Sequence, residues 1–160
     1  MKLVNEARQA FHDPDVRILG ADGYGTWTGD LTHSAVLQGA QSLDDMVAGH
    51  AFGQDEKLNV IGHSRGGDVA LDASIGISHK IDNLITPDAP AHADLDPDLA
   101  NIGTWINVSV NQDWVMGFNS DWGTSPRQRS GAFNLRLNAP QYGPIASHSA
   151  VWQDNSLRSQ

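Results

Sequence analysis

Six residues constrain this chain more than any other stretch: Gly62-His63-Ser64-Arg65-Gly66-Gly67. They follow an apolar run, Leu58-Asn59-Val60-Ile61, and precede Asp68-Val69-Ala70-Leu71-Asp72-Ala73, which suits a helix. A strand that becomes a helix within so few residues must reverse sharply, and the serine at the bend takes a strained backbone conformation. Residues two before and two after it must then be small. Gly62 and Gly66 meet that demand, and Gly67 lets the helix pack closely. Such a turn lifts the Ser64 hydroxyl above the sheet and aims the Arg65 N–H at the same point, where an oxyanion can form. A bare Gly-x-Ser-x-Gly is common in a chain with 16 glycines, so its specificity comes from the strand before it and the helix after it.

The remaining pattern alternates helices and strands. Leu3, Val4, Ala7, Ala10 and Phe11 fall on one helical face, which predicts an amphipathic helix over residues 2–12. Thr32 is placed to N-cap a second helix over 33–50, with Val36, Leu37, Ala40, Leu43, Met46 and Val47 as its buried stripe. Strands are predicted over residues 16–21, 58–61, 81–86, 104–110 and 132–137. This alternation predicts an α/β fold, a mainly parallel sheet of about five strands flanked by helices with right-handed crossovers. The connections at 88–101 and 112–131 are long, and loops of that length commonly hold a site or a lid.

Composition narrows the function classes. At 160 residues the chain reads as one domain, 1–160, able to bury a core without covalent staples. It has no cysteine, which removes thiolate catalysis and cysteine-based zinc sites, and no two of its seven histidines stand at an i, i+4 spacing. A formal net charge of −9 disfavours nucleic acid or an anionic membrane as the main partner. No signal peptide and no apolar run of spanning length are visible, so the default expectation is a cytoplasmic protein without integral membrane association, with export by another route left open. Oligomeric state is not legible.

The elbow, Gly-His-Ser-x-Gly-Gly between strand and helix, resembles that of the α/β-hydrolase superfamily, within it the lipase and esterase branch. The similarity runs from Val16 to about Trp152, the size of a minimal core without a cap domain. In that superfamily a serine nucleophile, an acid and a histidine follow in that chain order. The resemblance implies Asp113 as the acid, in the turn after the strand at 104–110, with Asp88 (one strand earlier) and Asp121 as rivals. It implies His148 as the base, because it alone follows the last predicted strand and precedes a short terminal helix, with His92 as fallback. His63 is expected to point away from the serine by strand alternation and to be structural. Arg65 would supply one oxyanion donor through its backbone N–H, and Gly23 or Tyr24, in the loop after the first strand, the second. That loop departs from the His-Gly forms usual in the superfamily.

Trp114, Met116 and Phe118 alternate beside Asp113, either as an acyl-binding wall or as a satellite core cluster. Arg127 and Arg129 could meet an acidic group of a substrate, but read first as a solvated pair. A narrower similarity, carried by Gly25-Thr26-Trp27, the elbow, Asp113-Trp114-Val115 and His148 through Trp152, is to small lipase-like domains attached to RHS-repeat effectors. The implied activity is hydrolysis of a carboxylic ester, lipid esters included, through an acyl-enzyme, with a small-molecule substrate and no cofactor. The alternatives are an idle binding module of the same fold, or an acyltransferase using the same three residues.

Overall fold

The structure is a computed structural model that describes residues 2–20, 27–30, 32–90, 95–111, 113, 115, 128–143 and 145–150. Its elements are helices α1 (Lys2–Phe11), α2 (His33–Ala48) and α3 (Arg65–Ala73), and strands β1 (Leu58–Ile61), β2 (Ile81–Pro87), β3 (Ile102–Val110) and β4 (Phe133–Leu137). Short 3-10 turns occupy Leu99–Asn101 and Ala146–Ser149. The four strands form one sheet in the order β1-β2-β3-β4, and every neighbouring pair is parallel. This is an α/β fold.

Helix α2 begins where its capping chemistry lies. Thr32 is extended and its hydroxyl accepts the Ala35 N–H at 3.3 Å, satisfying a donor that the helix cannot use itself. The face carrying Val36, Gly39, Ala40, Leu43 and Val47 is buried, whereas Leu37, expected in the stripe, is 45% exposed. Leu37 stands one residue beyond Val36, about 100° round the helix, and that turn takes it off the packed side. From α2, Ala40, Leu43 and Val47 meet Ala70, Leu71 and Ala73 of α3 and Ile81, Leu84, Ile102 and Trp105 of the sheet in one core. Full burial of an aliphatic side chain of this size is worth about 1.5–3 kcal/mol, so this layer holds α2 and α3 on the sheet.

The sheet departs from expectation on one side. Among the described residues it has four strands, not five, and residues 16–20 are not one of them. Local polar bonds hold this segment in another shape. The Asp15 N–H binds the Asp13 carboxylate at 2.8 Å, the Arg17 guanidinium clamps Asp15 at 2.7 and 3.0 Å, and Gly20 turns at φ +84° against the Trp27 carbonyl. Val16, Ile18 and Leu19 therefore line a cavity of about 390 Å³ whose other wall includes β1, in place of pairing with that strand.

Because the strands are parallel, their carboxyl ends share one edge. Ser64, Asp88 and Asp113 all follow strand ends there, the edge at which open α/β sheets collect their functional groups.

Candidate active site

The elbow is built from backbone. Gly62 N–H donates to the Ile85 carbonyl at 2.9 Å and Ser64 N–H to the Pro87 carbonyl at 3.0 Å, so the bend is tied to β2 on both sides of His63. Gly66 N–H and Gly67 N–H then return to His63 and Ser64 carbonyls, each at 2.9 Å, and start α3. Ser64 sits at φ 53°, ψ −129°, outside the regions that ordinary side chains favour, at a cost of about 1–3 kcal/mol. Such a conformation persists only where surrounding bonds and packing over-determine it, and the four bonds above do so.

The glycines divide differently from the sequence expectation. A Cβ on Gly62 would lie 2.3 Å from the Gly66 carbonyl oxygen, and one on Gly67 would lie 2.3 Å from the Ala89 Cβ. A Cβ on Gly66 would meet nothing within 4 Å. The small residue that the turn requires after the serine is Gly67, because α3 presses there on the segment following β2, while position 66 faces open space.

The structure brings three side chains into one hydrogen-bonded line. His148 Nε2 lies 2.8 Å from Ser64 Oγ, and His148 Nδ1 lies 2.7 Å from Asp113 Oδ2. Asp113 is fully buried, and its other oxygen accepts the Val115 N–H at 2.8 Å, which holds the carboxylate against the ring. A carboxylate on Nδ1 makes that nitrogen the donor, so Nε2 presents its lone pair to the serine hydroxyl. Burial makes a charge on His148 less favourable, but the hydrogen bond and negative charge of Asp113, with the charge of Asp88 added, outweigh it and raise the pKa above the ordinary histidine value.

His63 does not point away from the site. Its Nε2 donates to the His148 carbonyl at 2.9 Å, and the two rings lie 4.9 Å apart. Burial pushes its pKa down, so it is held neutral. Alternation failed here because it presumes a continuing strand, and the chain bends at this residue. Asp88 is the second group beneath the site. It is fully buried at φ 45°, and its Oδ1 accepts the Val110 N–H at 2.9 Å, joining the end of β2 to the end of β3.

Arg65 opens α3, so its N–H belongs to the first turn, whose donors the helix itself cannot use. Its side chain is buried and paired with Asp68 at 2.6 Å. Arg129 is not the solvated residue expected of it: it is half-buried and donates to the Pro90 carbonyl at 2.7 Å, bracing the segment after Asp88. Trp27 packs on α2 at Gly39, where a Cβ would stand 2.8 Å from its ring. Gly23, Tyr24, His92, Trp114, Met116, Phe118, Asp121 and Arg127 lie outside the described residues. Among the described residues no helix is long and apolar enough to cross a membrane.

Chemically, a serine, an imidazole and a buried carboxylate in this order can lower the barrier to acyl transfer. No protein-family model, curated protein or solved structure matches the chain.

Proposed function

We propose that this protein is a serine hydrolase of the α/β-hydrolase type that cleaves a carboxylic ester, lipid esters included, through an acyl-enzyme. The observation that carries the proposal is the unbroken line from Ser64 Oγ through both nitrogens of His148 to a buried Asp113, mounted on a strained serine at a strand-to-helix bend. Ser64 Oγ attacks the ester carbonyl while its proton passes to His148 Nε2. The imidazolium so formed is stabilised by Asp113, and the tetrahedral oxyanion accepts from the Arg65 N–H, with a second donor assigned to Gly23 or Tyr24. Collapse breaks the bond to the alcohol, which leaves with the proton from Nε2. Water then repeats the sequence on the acyl-enzyme and releases the acid. Trp114 and Met116 are assigned to the wall that receives the acyl group.

A fluorophosphonate tests this directly, because it phosphonylates a serine that an adjacent base has activated. Stoichiometric labelling of Ser64 is expected, and Ser64→Ala should abolish both labelling and hydrolysis of a p-nitrophenyl ester while the far-UV spectrum is unchanged. Undiminished hydrolysis by Ser64→Ala would remove Ser64 from the chemistry.

A further inference from the structure

Two groups beside His148 take no part in the chemistry proposed above, and together with it they form a ligand set. His63, Asp88 and His148 come from the bend after β1, the turn after β2 and the 3-10 turn Ala146–Ser149. One donor atom from each lies within 4.8 Å of the others. For any such triangle there is a point no more than about 2.8 Å from all three donors, against a zinc–nitrogen bond of about 2.0–2.1 Å. Each side chain therefore needs to move by no more than about 0.7 Å, which small rotations of the χ angles supply.

The hydrogen bonds already in place favour such an ion. Metal-binding histidines nearly always donate their other ring N–H to a carboxylate or a backbone carbonyl, which sets the tautomer and aims the free lone pair. Both rings have that arrangement here. His63 gives Nε2–H to the His148 carbonyl and His148 gives Nδ1–H to Asp113, so one nitrogen of each ring is already held by such an acceptor. Two imidazoles and one carboxylate suit a borderline transition ion such as Zn²⁺ rather than Ca²⁺ or Mg²⁺, which prefer all-oxygen sets.

We infer that His63, Asp88 and His148 form an inhibitory binding site for a divalent transition metal, in which the ion and the serine compete for His148. The consequence follows whichever ring nitrogen is taken. Nε2 is the atom that must receive the Ser64 proton, and Nδ1 is the atom that Asp113 holds. Capture of either disables the base, reversibly and without a covalent step. The three positions are 25 and 60 residues apart along the chain, which is why no ligand spacing reveals them in sequence. The site itself depends only on geometry, while its inhibitory effect rests on the hydrolase function proposed above.

Zn²⁺ is the probe, and calorimetry on the Ser64→Ala protein separates the two ideas because that variant needs no activity. One Zn²⁺ per chain is expected, with a rise in melting temperature. His63→Gln and Asp88→Asn, each added to Ser64→Ala, should weaken binding at least about tenfold. His50→Gln, which breaks the exposed His50–Glu56 pair, should leave it unchanged. In the unaltered protein, Zn²⁺ should slow fluorophosphonate labelling and ester hydrolysis in parallel, with both restored by a chelator. Zn²⁺ binding that survives both substitutions, or no binding at all, overturns the site. Stimulation of hydrolysis by Zn²⁺ overturns its inhibitory role. If His63→Gln does not fold, Asp88→Asn and the titration of the parent protein still decide. A chain that binds Zn²⁺ here yet neither hydrolyses esters nor takes the label would retain the metal site and lose the hydrolase.

Discussion

Adjacent glycines at the start of α3 should respond to the same substitution in opposite directions. In Gly67→Ala the new Cβ would stand 2.3 Å from the Ala89 Cβ and 2.9 Å from the Gly62 carbonyl oxygen. Two carbons are comfortable at about 3.5–4.0 Å, so more than an ångström must open between α3 and the segment after β2. Neither neighbour is the far end of a flexible side chain, and both are fixed to the backbone of the bend. Overpacking of this kind costs about 1–3 kcal/mol. In Gly66→Ala the Cβ meets nothing within 4 Å, and Gly66 is not among the glycines with positive φ, so alanine suits the helix. Removing glycine's freedom from the unfolded chain then stabilises by about 0.4–1 kcal/mol. The two variants should differ by about 1.5–4 kcal/mol. Urea unfolding followed by circular dichroism reads this as separated midpoints at a shared slope. Because Ser64 and Asp88 flank the two surfaces forced apart, Gly67→Ala should also lose about 10²-fold in ester hydrolysis, the usual consequence of an ångström of misplacement. A Gly67→Ala protein as stable as the parent, or a Gly66→Ala protein less stable than Gly67→Ala, would refute the packing argument.

Asp113→Asn should lower kcat by about 10⁴, since an amide on Nδ1 no longer holds the productive tautomer. Asp88→Asn should cost far less, and steady-state kinetics on the pair checks the ranking. His148 must be neutral to act, and its pKa is raised, so kcat/KM measured with chelator present should fall on acidification with its midpoint above the ordinary 6.5. Asp88→Asn, which removes one of the charges raising it, should shift that limb to lower pH. The linked stability runs the other way: the contribution from protonated His148 is full below 6.5 and is lost as pH rises through its folded value, which denaturation at several pH values will report. Asp68→Ala should cost about 3–5 kcal/mol in the same assay, because it strips the carboxylate from a guanidinium that is 4% exposed.

The parts legible in the sequence are those decided within a few residues. Thr32 identifies its helix because a cap needs only the next turn, and the observed α2 begins at the following residue. β1, β2, β3 and β4 occur where alternation and β-branched residues predict them, within a residue or two. The segment at 16–20 satisfies the same pattern and is not a strand, since alternation measures fitness for a sheet and not whether an edge is available to pair with. There the short-range bonds among Asp13, Asp15 and Arg17 win. The exposed Leu37 and the half-buried Arg129 fail for the converse reason: residue type alone does not say which neighbour arrives from a distant segment.

For the site, the elbow is a local object. Six residues specify the bend because the close approach of Gly62 to the Gly66 carbonyl lies within them, while the bonds to Ile85 and Pro87 and the contact of Gly67 with Ala89 are supplied by the fold. The elbow itself does not say which carboxylate meets the histidine: chain order in the resemblance puts Asp113 ahead of Asp88, and no local sterics separate them. Asp88 and Asp113 follow adjacent parallel strands, both are fully buried, and both influence the same ring. The choice rests on a few ångströms set by β2–β3 register and by the 3-10 turn that delivers His148. In the fold Asp113 takes Nδ1 at 2.7 Å while Asp88 is held on the Val110 N–H. The turn of His63 toward His148 is likewise tertiary, since it depends on where a segment 85 residues away lays its carbonyl. Sequence determined the bend because the sterics of a tight turn are short-ranged, and chain order could only rank its partners; tertiary structure decided which of them meet, because hydrogen bonds act across whatever distance along the chain the packing has closed.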